Sequence, residues 1–200
     1  EVLAKGFGGY KFELKDIPGG NTVSIRKPGV REYSELAAGE MGSSFLGIDI
    51  AGGPRPTDKW GLHHYIDAYQ EAKKYSIGRT VHVSEGRSPQ EIIDAILMLD
   101  AQRLGHACTI LENKEAIKIV KDRKVVIEAC PTSNVHTGIY SNVLQHPIKK
   151  WIEKKIPVTV CADNTLMSRT TTTTELLNFN FNEEELAWIF KSGYLGRFKE

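Results

Sequence analysis

The chain has 200 residues, of which 40% are hydrophobic and 26% are charged, and its formal net charge is +1. This composition is typical of a soluble globular protein, and the scattered Lys and Arg residues argue against a nucleic-acid-binding surface. No apolar stretch approaches the roughly 20 residues that a membrane span requires, so we expect no membrane association.

Residues 1–40 form an atypical segment rich in glycine and proline turns. Two short pieces within it have strand-like composition, and they are Tyr10–Leu14 and Thr22–Arg26. The run Gly6–Gly9 lacks the spacing and the preceding strand of a phosphate-binding fingerprint. We therefore predict turns joining short strands here, distinct from the regular strand–helix pattern of residues 41–200.

From about residue 44 onward, β-rich apolar runs alternate with amphipathic helices. The runs have little polar alternation, which favours strands buried on both faces of a parallel sheet, and they are Phe45–Ala51, Thr80–Val83, Arg103–Ala107, Val125–Cys130 and Val158–Ala162. Alternation of strand and helix at this spacing is the signature of an α/β protein.

Helices are predicted between these strands, near residues 62–75, 112–122 and 146–155. Ser88 is predicted to cap another helix, with Pro89 at its first position and Glu91 three residues after the cap. Asn182 is predicted to cap a last helix that carries Leu186, Ile189 and Phe190. The β-branched run Thr170–Thr174 is expected to be a loop that ends by capping a helix at Glu175.

Polar side chains recur where the predicted strands end. The first three strands end near Asp49 and Gly52, near His82 and Glu85, and at His106; Thr132, Ser133 and Asn134 follow the fourth, and Asp163 and Asn164 the fifth. In a parallel α/β barrel these ends share one face, which carries the active site. Each residue alone is more often a turn, a cap or a satisfied structural group. Together, a His and a carboxylate that suit zinc, a nearby Glu for acid–base work and a further His to orient water indicate a metal-dependent hydrolase.

The remaining histidines and the three cysteines lack this context. We expect His63, His64, His136 and His146 to be surface or capping residues. The spacing of the cysteines gives no CxxC motif. Each of them lies in or just beyond an apolar run, where a free thiol behaves as a small buried hydrophobe: Cys108, Cys130 and Cys161. A disulfide framework is therefore not expected, which favours a reducing, cytoplasmic compartment.

Several motifs resemble those of the adenosine deaminase family, in family order and over about residues 44–195. They are Gly47–Gly52 (GIDIAG), Thr80–Glu85 (TVHVSE), Arg103–His106 (RLGH), Glu128–Asn134 (EACPTSN), His146–Pro147 (HP) and Val160–Asn164 (VCADN). The resemblance implies a zinc-dependent (β/α)8 barrel, of which this chain supplies about five C-terminal βα units. It also implies a purine nucleoside substrate, with adenosine or 2'-deoxyadenosine hydrolysed to inosine and ammonia.

Roles follow from the resemblance position by position. His82 and Asp163 would be zinc ligands, and Glu85 would protonate the purine ring at N1. His106 would position and help deprotonate the attacking water, with Asp163 also contacting that water. Gly52 and Asn164 would contact the purine; the amide of Asn164 can donate a hydrogen bond to N7 without a shifted pKa.

The chain departs from the family pattern in ways that keep other functions open. Ser84 and Ala107 stand where the family has glycine, and no His-x-His pair of zinc ligands occurs anywhere in the sequence. With His82 and Asp163 alone, a catalytic zinc would be under-coordinated. The alternatives are an inactive structural or nucleoside-binding subunit of an oligomer or larger assembly, and a deaminase of another 6-aminopurine such as adenine or an N6-modified adenosine.

Overall fold

In the computed structural model, residues 46–51 and 61–198 are described with their surroundings, and residues 13–17 and 20–25 are described as strands. One sheet contains seven strands in the order of the chain. They are β1 (Glu13–Ile17), β2 (Gly20–Ile25), β3 (Gly47–Ile50), β4 (Gly78–Val83), β5 (Arg103–His106), β6 (Val126–Ala129) and β7 (Val158–Val160). None of the helices in the described ranges is long and apolar enough to cross a membrane.

The strands β3 to β7 are all parallel, and each pairs with the next one along the chain. A sheet that keeps sequence order without reversal is an arc of a βα-barrel, whereas a doubly wound sheet changes direction at a switch point. The predicted α/β class and partial barrel are therefore confirmed. The hairpin of β1 and β2 is antiparallel, and β2 extends the arc by pairing in parallel with β3.

Eight α-helices are described, and most of them connect successive strands. They are α1 (Ile66–Lys74), α2 (Gln90–Leu99), α3 (Lys114–Asp122), α4 (Pro131–His136), α5 (Ile148–Glu153), α6 (Thr165–Ser168), α7 (Thr172–Leu177) and α8 (Glu183–Leu195). Short 3₁₀ turns at Leu62–Tyr65, Ile110–Glu112 and Val143–Gln145 lead into α1, α3 and α5. The buried core lies between these helices and the sheet, and Trp151 of α5 is among its largest fully buried side chains.

The predicted helix starts are correct at one end of the chain and partly wrong elsewhere. Asn182 caps α8 with a full capping box to Glu185. The side chain of Ser88 accepts a hydrogen bond from Gln90 N at 3.2 Å. Glu91, however, accepts from Ser84 N at 2.7 Å, so its carboxylate binds the preceding loop instead of completing the predicted cap. Of the apolar residues on this last helix, α8, Ile189 is buried, whereas Phe190 is 62% exposed.

The threonine run is helical over more of its length than predicted. Thr171 caps α7 by accepting from Thr174 N, and the helix begins at Thr172. The loop therefore ends at the cap, and three threonines form the first turn, where a β-branched side chain does not face a preceding helical turn.

Phe198 fills the start of the sheet, at the end opposite to the polar strand ends. Its ring lies against Gly47 and Gly78, the first residues of β3 and β4, and a Cβ at either glycine would overlap it. The guanidinium of Arg103 stacks 3.7 Å above the ring centroid. The missing side chains at the two glycines thus make room for an aromatic plug.

Replacing Phe198 with alanine should destabilise the chain by about 3–5 kcal/mol, because a buried aromatic leaves a cavity that the sheet cannot close. Urea unfolding followed by circular dichroism measures this loss. Phe190→Ala is the matched control, and its exposed position predicts a change within about 0.5 kcal/mol. Equal effects of the two substitutions would contradict this assignment of Phe198.

His146 is a buried core residue, so its expected surface or capping role is wrong. It is 4% exposed, and its ring packs edge-on against Tyr140 and Trp151 with centroid distances of 5.2 and 5.0 Å. Neither ring nitrogen has a hydrogen-bond partner within the described residues. Burial lowers the pKa of His146 to about 3.

This burial makes the fold sensitive to acid. The folded pKa lies below the ordinary value of about 6.5, so the neutral ring contributes stability above pH 6.5 that is lost as pH falls toward 3. Between pH 7 and pH 5 the loss from this residue should be about 2 kcal/mol. His146→Leu should flatten that slope of unfolding free energy against pH, whereas Phe190→Leu, which removes no titratable group, should leave it unaltered.

Candidate metal-dependent active site

The carboxyl ends of the parallel strands bring the predicted polar residues together. In register, Val83 of β4 pairs with His106 of β5, and His82 pairs with Gly105. The rings of His82 and His106 meet edge to face with centroids 5.0 Å apart. A Cβ on Gly105 would lie 3.0 Å from the His82 ring, so glycine at this position allows the ring to lie across β5.

Asp49 orients His82. Nδ1 of His82 lies 3.0 Å from Oδ1 of Asp49, which is 1% exposed. A carboxylate at this position holds the proton on Nδ1 and makes Nε2 the nitrogen that carries the lone pair. From sequence, Asp49 was expected only to lie at a strand end, although it is part of the GIDIAG motif.

His106 lies between an amide and the proposed acid. Nδ2 of Asn134, itself fully buried, is 3.1 Å from Nδ1 of His106. On the other side, Nε2 of His106 is 3.8 Å from Oε1 of Glu85. Glu85 is partly exposed, as a group that meets a ligand must be, whereas His106 is 2% exposed. The two predicted acid–base residues therefore face each other.

Asp163 follows β7 and is held by the neighbouring strand end. Ser133 Oγ donates to Oδ2 of Asp163 at 2.8 Å. Neither Ser133 nor Asn134 was assigned a role from sequence, although both lie in the EACPTSN run. The two residues place one hydrogen bond on the carboxylate and one on the imidazole.

The other predicted substrate-contacting residues are less informative. Asn164 is exposed and caps α6, accepting from Met167 N at 2.9 Å, which is the structural role that an Asn after a strand most often has. Gly52 lies outside the described residues.

Four non-glycine residues at these strand ends have left-handed backbone. The φ angles are +52° at Ser84, +63° at His106, +48° at Ala107 and +54° at Asp163. Each costs roughly 1–2 kcal/mol without a compensating contact. Strain of this kind gathers at functional sites, where surrounding structure holds it in place.

Ser84 and Ala107 keep the conformation for which glycine is best suited. Ser84 is fully buried, and its Oγ donates to the carbonyl of Ser88 at 2.8 Å, so the added side chain is bonded within the loop. Ala107 N donates to the carbonyl of Val83 at 3.0 Å. These departures from the family motifs thus retain the local backbone.

Cys130 brings a sulfur atom to the same place. One possible ligand atom of each of His106, Cys130 and Asp163 lies within 4.8 Å of the others. The cysteines are free, and Cys108 and Cys130 are buried as predicted, while Cys161 is partly exposed. A hydrogen bond with the Cys161 thiol and burial raise the pKa of Cys130 well above its usual range.

The donors at this edge fit a zinc-class cation. Imidazole, thiolate and carboxylate are the groups that bind zinc in proteins, and His82 already has the carboxylate partner that a ligating histidine needs. His82 and Asp163 would hold the ion in the predicted manner, with His106 and Cys130 beside them.

Removing the partner of His82 tests this fit. Asp49→Ala should weaken zinc binding by about 10–100-fold, because the ring loses its orientation and basicity. Asp49→Asn keeps an acceptor for Nδ1–H and should recover part of that loss. Competition with a chromogenic chelator measures the affinity, and Asp122→Ala on exposed α3 is the control. An unchanged affinity in Asp49→Ala would remove His82 from the metal site.

Comparison with known proteins identifies the family of the chain. The adenosine deaminase family model matches residues 26–197. An adenosine deaminase of Vibrio atlanticus is 34% identical over 200 residues, covering 95% of this chain and 59% of its own length. One from Clostridium botulinum is 33% identical over 172 residues, covering 84% of this chain.

Solved structures have the same architecture. The N6-methyl-AMP deaminase of Arabidopsis thaliana superposes with a TM-score of 0.75 at 25% identity, over 90% of this chain and 54% of that protein. The chain spans about half the length of the curated relatives it matches. From its motifs, its parallel strand ends and these matches, the chain belongs to the adenosine deaminase family.

Proposed function

We propose that the protein hydrolyses adenosine or 2'-deoxyadenosine to inosine and ammonia with the help of a bound zinc ion. The observation that carries this proposal is the facing pair of Glu85 and His106, 3.8 Å apart beside His82 and Asp163. Bound zinc supplies Lewis acidity that lowers the pKa of a water molecule toward neutrality.

In this proposal two residues of the chain carry out the proton transfers, His106 as the base and Glu85 as the acid. Nε2 of His106 takes a proton from the attacking water, which requires the Asn134 amide to accept from Nδ1–H through its oxygen. Glu85 protonates N1 of the purine, so that the ring carbon bearing the amino group becomes a better electrophile. The proton held by His106 then passes to the amino group, which leaves as ammonia; the remaining proton of the added oxygen returns to Glu85 as the carbonyl forms, and N1 keeps its proton.

Relatives support a purine substrate without fixing which one. The curated relatives at about one-third identity are named as adenosine deaminases. The similar solved structure at 25% identity acts on N6-methyl-AMP.

Three free thiols favour a reducing compartment, and we expect the cytoplasm.

Turnover of defined substrates tests the proposal. Zinc-loaded protein should remove the ultraviolet absorbance of adenosine faster than that of adenine or N6-methyl-AMP. Glu85→Gln should lower kcat by about 10²–10⁴-fold with little change in zinc content, because it removes the proton donor and keeps the ligands. Glu115→Gln, at an exposed position of α3, should leave kcat unchanged.

The contrary outcomes separate the alternatives. Faster turnover of N6-methyl-AMP or adenine would replace adenosine as the substrate while retaining the chemistry. A folded protein that binds a nucleoside but neither binds zinc nor releases ammonia would instead be a binding subunit.

A further inference from the structure

Glu175 is a buried carboxylate that the proposed proton transfers do not use. It lies in α7 and is 0% exposed. Its Oε2 accepts a hydrogen bond from the backbone N–H of Thr132 at 3.1 Å, across 43 residues of sequence. The other oxygen, Oε1, has no hydrogen-bond partner within the described residues. Burial of a carboxylate with one unpaired oxygen costs stability that an apolar side chain of similar size would not cost.

The start of α7 fixes the place of this carboxylate. Thr171 caps the helix by accepting from Thr174 N, and Glu175 N donates to the carbonyl of Thr171 at 2.9 Å. Thr170, which precedes the cap, is itself buried. The threonine run therefore begins the helix at the position that directs Glu175 into the protein.

The bond from Thr132 holds the first turn of α4. Its N–H is one of the amides at the start of a helix that have no partner within that helix. The next residue, Ser133, donates to the carboxylate of Asp163 at 2.8 Å. Asn134 follows, and its amide is hydrogen-bonded to Nδ1 of His106 at 3.1 Å. A displacement of this turn would therefore disturb both of these hydrogen bonds.

We propose that Glu175 is a positioning residue for the deamination. By holding Thr132 it fixes the first turn of α4, and that turn carries the two hydrogen bonds that orient His106 and Asp163. The effect on turnover rests on the proposed function, whereas the effect on α4 does not. Because Glu175 acts through a backbone amide, an uncharged oxygen acceptor at the same place should be able to replace its carboxylate.

Two substitutions of similar size separate the acceptor from the packing. Glu175→Leu removes the oxygen that binds Thr132 N, and Glu175→Gln keeps one. For adenosine, Glu175→Leu should lower kcat about tenfold or more and change KM less than about twofold, because the residues that it positions act in the chemical step. Glu175→Gln should restore kcat to within about threefold of the unaltered chain. If Glu175→Leu does not fold, Glu175→Asp, whose carboxylate is one methylene too short to reach Thr132 N, takes its place.

Leu176→Ala is the matched control on the same helix. Leu176 packs against the core, so its truncation loosens α7 without removing the bond to Thr132. This variant should unfold at a lower temperature and keep kcat within about twofold. A loss of kcat as large as that of Glu175→Leu would mean that any loosening of α7 has the same effect, which contradicts the proposal.

Hydrogen exchange followed by NMR gives a reading that requires no turnover. The amides of Thr132, Ser133 and Asn134 should exchange about tenfold faster or more in Glu175→Leu, while those of α8 keep their rates. Unchanged exchange at these three residues in the folded variant would overturn the proposal, as would equal losses of kcat in the Leu and Gln variants. If the unaltered zinc-loaded chain did not deaminate adenosine, the proposed function would fail, and the exchange rates would still show whether Glu175 holds α4.

Discussion

The parallel ladder from β3 to β7 is the constraint on which the rest of the structure depends. Its register sets Asp49 beside Thr80 and His82 beside Gly105, so side chains of neighbouring strands on one face fall into layers. One end of that face holds the polar site, and the other holds the ring of Phe198 against two glycines. A slip of one residue in any strand would turn its ligands away from the site.

The same ladder explains why polar groups can be buried here. Between the site and the aromatic plug, Arg103 and Glu128 form an ion pair at 3.1 Å, and Thr80 donates to the other carboxylate oxygen at 3.3 Å. Such a pair contributes little net stability compared with apolar residues, but removing one partner would leave an uncompensated charge. This layer therefore favours one register of three neighbouring strands, since a shifted strand would separate the groups.

Sequence predicted the features that repeat and missed those that depend on contact. The positions of strands and helices were predicted from the spacing of apolar residues. His82, His106 and Asp163 were located because the carboxyl ends of parallel strands in a barrel share one face. It could not show that Asp49, Ser133 and Asn134 bond these residues, because such pairs join positions 28 to 33 residues apart. His146 was misjudged for the same reason: its burial depends on Tyr140, Trp151 and Phe179, which meet only in the fold.

The left-handed residues show how the site is held after two family glycines are replaced. Ser84 and Ala107 lack the conformational freedom of glycine, yet both have φ near +50°. The bonds that hold them connect the loop after β4 to β5 and to α2: Glu91 accepts from Ser84 N, and Arg87 joins the same carboxylate at 2.7 Å. Because Glu85 lies inside this bonded loop, its carboxylate is kept near His106 by fixed backbone geometry. The strained backbone and the acid–base pair are thus one arrangement, in which loop hydrogen bonds offset the cost of the positive φ angles.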